Sequence, residues 1–193
     1  MKLTCPNRCR IYFARGMYLY LAILILLVPL RWLFAMCIGA AVHELLHILA
    51  LKLFRIHIYS IKIGPMGAAI HTQMISHQQE LICALAGPIG ALSLLLFVKW
   101  IPMIALCVFF QSLYNLLPIY PFDGGRALHC IFHMLLPERY ADVSFDVFQK
   151  ILLGTIFVAA LYAAFRYHLG ILPILLAGFP VLGNKVNKNS LQR

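Results

Sequence analysis

The sequence predicts an all-α polytopic membrane protein of about six transmembrane helices, with a small β-hairpin at the membrane interface. Three observations carry that prediction. Apolar residues make up 63% of the chain and charged residues 11%. Soluble proteins have about half and a quarter, so there are too few charges here to cover a water-facing surface. The apolar residues come in runs close to the ~20 needed to cross a bilayer. The basic residues sit at the ends of those runs and not along one amphipathic face.

The runs place spans at about 17–30, 33–54, 81–98, 101–117, 147–165 and 170–182. The first is short and extends back to Ile11 if Arg15 snorkels to the interface. The last contains Pro173 and Pro180 and is the least regular. The first run follows a basic start with no small-residue cleavage site, which reads as a retained helix and not a signal peptide. With six spans, thirteen basic residues fall on one side and only Arg31, Lys99 and Arg166 on the other. The positive-inside rule then puts both termini in the cytosol of a multi-pass cell-membrane protein. A net charge of +10 distributed in this way argues for the lipid bilayer as partner and against nucleic acid. Cys5 and Cys9 form a C-x3-C pair without further ligands nearby and read as free thiols.

Two stretches differ from the rest. Between the second and third spans, Ile56, Ile58, Tyr59, Ile61 and Ile63 have β character, broken by Gly64-Pro65 and Gly67. That pattern predicts a short hairpin. Its open edge must avoid lipid, at the interface or in a protein cavity. The segment from Asp123 to Phe148 carries Pro137 and most remaining polar residues, and reads as extramembrane.

Among the six acidic residues, only Glu44 lies well inside a predicted span. An ionisable group at that depth is costly and marks a functional site. The surrounding sequence is Val42-His43-Glu44-Leu45-Leu46-His47-Ile48, an H-E-x-x-H. At 3.6 residues per turn, His43 and His47 stand one above the other on one face. Such a pair binds zinc, and the adjacent carboxylate reaches a water on the metal. A third ligand must come from elsewhere, and the candidates are His57, His71, His77, His129, His133, His168 and the remaining acidic residues. Asp123 stands out by context, in Asn115-Leu-Leu-Pro-Ile-Tyr-Pro-Phe-Asp123-Gly-Gly125. Its prolines end regular helix bonding and its glycines let backbone approach closely. Broken helix at membrane depth is tolerated where it lines a cavity.

These motifs resemble the site-2 protease family of intramembrane metalloproteases, which pairs H-E-x-x-H on one span with an Asn/Pro-rich Asp-Gly motif on a later one. Within that family, Asn115–Gly125 is most similar to the stage IV sporulation protease branch. The likeness covers about 33–126 well and the rest loosely. It implies a single intramembrane protease domain over 1–193, with one Zn2+ per chain held by His43, His47 and Asp123. It also implies Glu44 as catalytic base and Asn115 as a substrate- or oxyanion-contacting group. Ala86-Gly87-Pro88 matches the family pattern too, and close helix packing alone accounts for it. The expected substrate is a membrane protein, with a sporulation pro-sigma factor as one candidate and a membrane inhibitor protein as a further partner. The sporulation branch carries a CBS domain after its last span, whereas about ten residues follow Leu182 here. The alternative is a catalytically inactive membrane zinc-binding protein acting as sensor or scaffold.

Overall fold

The computed structural model describes residues 10–64 and 67–166. The predicted sixth span and the Cys5/Cys9 pair lie outside them. The chain divides into two compact units, Met1–Leu113 and Tyr114–Arg193.

The first unit opens with strand β1 (Arg10–Phe13), followed by helices α1 (Arg15–Leu27) and α2 (Leu30–Leu53). Strands β2 (Ile58–Gly64) and β3 (Gly67–Thr72), then α3 (His77–Ala91), complete its core. A 3-10 turn (Leu92–Phe97) and α4 (Pro102–Asn115) follow, the end of α4 passing into the second unit. Pro29, extended at the head of α2, ends one helix and starts the next, because a proline disfavours helical backbone in the residue before it. At the other end of α2, Arg55 takes φ 56. Ile56 N–H donates to Leu51 O at 2.9 Å and Arg55 N–H to Lys52 O at 2.9 Å. That is a Schellman ending with arginine in the usual glycine place. α3 begins at a reciprocal capping box: Ser76 Oγ accepts from Gln79 N at 3.3 Å, and Gln79 Oε1 accepts from Ser76 N at 3.2 Å.

The predicted hairpin is present, with β2 and β3 antiparallel from Ile58↔Thr72 to Gly64↔Gly67. It is joined by a strand that the sequence did not reveal. Residues 10–13 do not extend the first span but pair parallel to β2, from Arg10↔Ser60 to Phe13↔Ile63. Parallel neighbours need a long crossover, and α1 with α2 supplies it. The sheet order is β1-β2-β3, which leaves β3 at an edge. Leu51, Ile56 and Cys83 form a buried cluster against which Phe54, Ile58, Ile70 and Ile75 pack, tying the sheet to the ends of α2 and α3.

In the second unit, α5 (Asp123–Leu135) and α6 (Glu138–Arg166) follow a loop. The segment read from sequence as polar and extramembrane, with no secondary structure assigned to it, is mostly helical. Its apolar positions Ala127 and Cys130 are buried on one face of α5, a 3.6-residue period masked by interleaved histidines and Arg126. α6 also starts nine residues earlier than the predicted fifth span, directly after Pro137, a residue suited to the first turn of a helix.

Among the described residues, three helices are long and apolar enough to cross a membrane: Leu30–Leu53, His77–Phe97 and Glu138–Arg166. Gly16–Leu27 and Pro102–Asn115 are apolar but shorter. Large apolar side chains such as Leu26, Leu45, Leu49 and Phe165 point outward, which suits a lipid surround and would be a liability in water. The fold is that of a mostly helical membrane protein with one small sheet.

The loop ahead of α5 is held by a residue that the sequence left unmarked. Gln149 on α6 is only 3% exposed. Its Oε1 accepts from Tyr120 N at 3.2 Å and its Nε2 donates to Pro118 O at 3.3 Å. Gln149→Leu removes both bonds from a buried position, at a cost of about 1–3 kcal/mol. The expected result is a lower melting temperature of the full chain in detergent. An unchanged melting temperature would mean that the loop is held by other contacts.

Candidate metal centre

α2 carries the H-E-x-x-H. His43 and His47 are each 6% exposed. Their rings meet edge to face with centroids 4.7 Å apart, and their Nε2 atoms are 3.1 Å apart. His47 Nδ1 lies 2.7 Å from the Cys83 carbonyl on α3. A carbonyl only accepts, so Nδ1 carries the proton and Nε2 presents its lone pair. A backbone carbonyl behind a ligating histidine is the usual device for fixing its tautomer and ring plane. Ligands around tetrahedral zinc, each at about 2.0–2.1 Å, stand about 3.3 Å from one another. The His43–His47 pair has that spacing, so these two residues fit a zinc ion.

Space for the His47 ring is made by Gly87. A Cβ built at Gly87 falls on His47 Nε2, Cε1 and Cδ2. Gly87 is buried in α3 beside Cys83 and Ala84. Gly87 of the Ala86-Gly87-Pro88 stretch is thus part of the surface against which the His47 imidazole lies, so the close helix packing expected there is packing against that ring.

Glu44, on the same turn of α2, is half-buried. Its Oε1 accepts from Ala68 N at 3.0 Å. Gly67, at the start of β3, has φ 110, and a Cβ there would stand 3.4 Å from the same oxygen. The hairpin therefore delivers a backbone N–H to the carboxylate and orients it. Ala68 was not among the residues singled out from sequence. The only signal for it was Gly67, whose left-handed backbone is open to glycine at little cost.

The second unit holds the other two residues. Asn115 is the last residue of α4 and is half-buried. Asp123 is the first residue of α5 and is 9% exposed. At a helix N-terminus the macrodipole favours the ionised carboxylate, the form a metal needs. Arg126, one turn on, stands 3.7 Å from Asp123 Oδ1. The chain reaches this point through Ile119 N–H to Leu117 O at 2.7 Å and Phe122 N–H to Ile119 O at 3.0 Å. The loop folds back so closely that a Cβ at Gly124 falls on the Leu116 carbonyl, and one at Gly125 on the Ile119 backbone. The Asp-Gly-Gly run is thus demanded by the loop's own backbone.

No family model and no curated protein matches the sequence. Among solved structures, the site-2 protease from Methanocaldococcus jannaschii superposes with a TM-score of 0.65. The match covers 96% of this chain and 92% of that one, at 22% identity. The chain has the site-2 protease fold. At 22% identity the sequence likeness is confined to short motifs while the fold is shared, because buried and membrane-facing positions accept many apolar side chains of similar volume. Within this fold the H-E-x-x-H occupies α2, a helix long and apolar enough to span.

The Gly87 contact yields a direct check. Gly87→Ala forces either the His47 ring or α3 to move, and overpacking of this kind costs about 1–3 kcal/mol. The expected outcome is loss of bound zinc together with a lower melting temperature, read on one purified sample. Full zinc content and wild-type stability in that variant would show that His47 does not depend on the α3 surface.

Proposed function

We propose that the chain is an intramembrane zinc metalloendopeptidase that cleaves a membrane protein. The observation that carries this reading is the buried His43–His47 pair, with Nε2 atoms 3.1 Å apart, beside Glu44 on an apolar 24-residue helix. Asp123 is the proposed third ligand: a largely buried carboxylate, kept ionised by its place at the head of α5. When bound, zinc would polarise a carbonyl and lower the pKa of a water beside it.

The chain's own groups do the rest. Cys83 O and Gly87 hold His47 with its Nε2 lone pair forward. Ala68 N–H holds the Glu44 carboxylate, which takes a proton from the attacking water and passes it to the leaving amine. The Asn115 amide donates to the substrate carbonyl oxygen as charge develops on it. β3 is an edge strand, and an extended substrate that paired with it would form an extra strand alongside the hairpin. Because Ala68 at the start of β3 already touches Glu44, that strand would run close to the base. The likeness of Asn115–Gly125 to the sporulation branch favours a membrane-associated precursor, such as a pro-sigma factor, as the substrate.

Glu44→Gln tests the enzymatic reading. The amide keeps the shape but accepts no proton, so zinc stays bound and cleavage stops. Comparative membrane proteomics of cells carrying wild type and this variant then shows the uncut substrate accumulating with the variant. Turnover within about tenfold of wild type on that substrate would remove Glu44 from the base role. Asp123→Ala on the same assay should lose zinc and turnover together, and survival of both would move the third ligand elsewhere.

Asn115→Ala separates a chemical role from a structural one. Losing one oxyanion donor costs about 10²–10³ in turnover in other hydrolases. The variant should keep its zinc and its protein level yet cut that much more slowly. If instead Asn115 only ends α4, the variant lowers the amount of folded protein and leaves activity per folded molecule unchanged.

A further inference from the structure

The second unit contains a group of side chains of metal-ligating type that the proposed function does not use. His129 and His133 lie four residues apart on α5 and so share a face. Asp142 lies in the early turns of α6, just past the turn at Leu136-Pro137. The two Nε2 atoms are 3.2 Å apart. Asp142 Oδ1 is 3.2 Å from His129 Nε2 and 2.9 Å from His133 Nε2. Three donor atoms therefore form a nearly equilateral triangle.

We propose that His129, His133 and Asp142 form a second divalent-cation site that takes a borderline transition metal such as zinc. The triangle has almost the edge length of one face of a tetrahedral zinc site, about 3.3 Å for ligands at about 2.0–2.1 Å. Hydrogen bonding alone does not satisfy it. If both Nε2 atoms carry protons for the carboxylate, two N–H groups confront each other at 3.2 Å. If one is bare, its lone pair faces the carboxylate oxygen. A cation at the centre turns all three lone pairs into ligands.

The surroundings hold this geometry in place. The His129 ring packs edge-on against Phe145 of α6 with centroids 4.9 Å apart, and Phe132 meets the Phe145 ring at 5.8 Å. The site is closed on one side and open on the other: the His133 side chain is 10% exposed, His129 32% and Asp142 73%. Water has access to complete the coordination and the ion has a path in. Two imidazoles and one carboxylate suit zinc, cobalt or nickel, whereas magnesium and calcium prefer all-oxygen sites. Occupied, the site staples α5 to α6 across their connecting turn and stabilises the unit by mass action. Since α5 also begins with Asp123, the ion fixes the helix that presents that carboxylate.

The test uses the full chain, purified in detergent without a histidine tag, stripped by chelation and dialysed against zinc. Wild type should bind two ions per chain. Asp142→Asn, and separately His129→Gln with His133→Gln, should each bind one. His43→Gln with His47→Gln should also retain one, and added zinc should raise its melting temperature. That rise should vanish when Asp142→Asn is combined with it. Circular dichroism checks folding, and the exposed Asp142 makes its variant the deciding one if the histidine double variant fails to fold. A wild type that binds one ion, lost in the Asp142 variant, supports this site and removes the first. Equal zinc content in wild type and Asp142→Asn, both folded, overturns the proposal.

Discussion

A polar ring in apolar surroundings must have its nitrogens accounted for, and at His47 that requirement governs the first unit. Its Nδ1–H is bonded to the Cys83 carbonyl at 2.7 Å, in a buried setting where an unmade hydrogen bond is costly. The bond fixes the tautomer and sets how closely α2 and α3 approach, and the approach in turn excludes any side chain at residue 87. The Leu51–Ile56–Cys83 cluster lies at the same end of the two helices and seats the sheet there. Once the sheet is seated, Ala68 N–H reaches Glu44. The setting of His47, the seat of the hairpin and the orientation of Glu44 all follow from one helix contact.

The second unit solves a similar problem with backbone. A carboxylate at the head of α5 is stabilised by the helix end, but the chain must arrive there from α4 through a tight loop. Gly124 and Gly125 admit the loop's carbonyls, and Gln149 satisfies one donor and one acceptor within it. Tyr114 and Phe122 close over it with ring centroids 4.5 Å apart. Polar contacts of this kind are costly to place away from water and hold a single geometry once made.

The two H-x3-H pairs show how surroundings differentiate like motifs. Their Nε2 spacings are nearly equal, 3.1 and 3.2 Å. The first pair is buried and backed by a carbonyl, next to a carboxylate whose orientation is held by an amide. The second faces solvent on one side and meets a carboxylate directly, with aromatic rings behind it. The first arrangement suits chemistry on a bound substrate, and the second suits a structural or regulatory ion.

Composition and periodicity alone determined the membrane class, the helix carrying His43, Glu44 and His47, and the β-hairpin. Those signals are local: a long apolar run, a four-residue spacing, and β-branched residues ended by glycine. The sequence also pointed to Asp123 and Asn115 through their proline- and glycine-rich setting. Only the tertiary structure decided the rest. β1 is four residues whose strand character comes from pairing with β2, some fifty positions away, and nothing in residues 10–13 announces that partner. α5 was hidden because its apolar face is narrow and interleaved with histidines. Nothing in the sequence marks Gln149, because its role exists only where the loop at Pro118 and Tyr120 comes against it. Ala68 contributes through a main-chain N–H, which every residue except proline has, so no side-chain pattern reveals where that donor points.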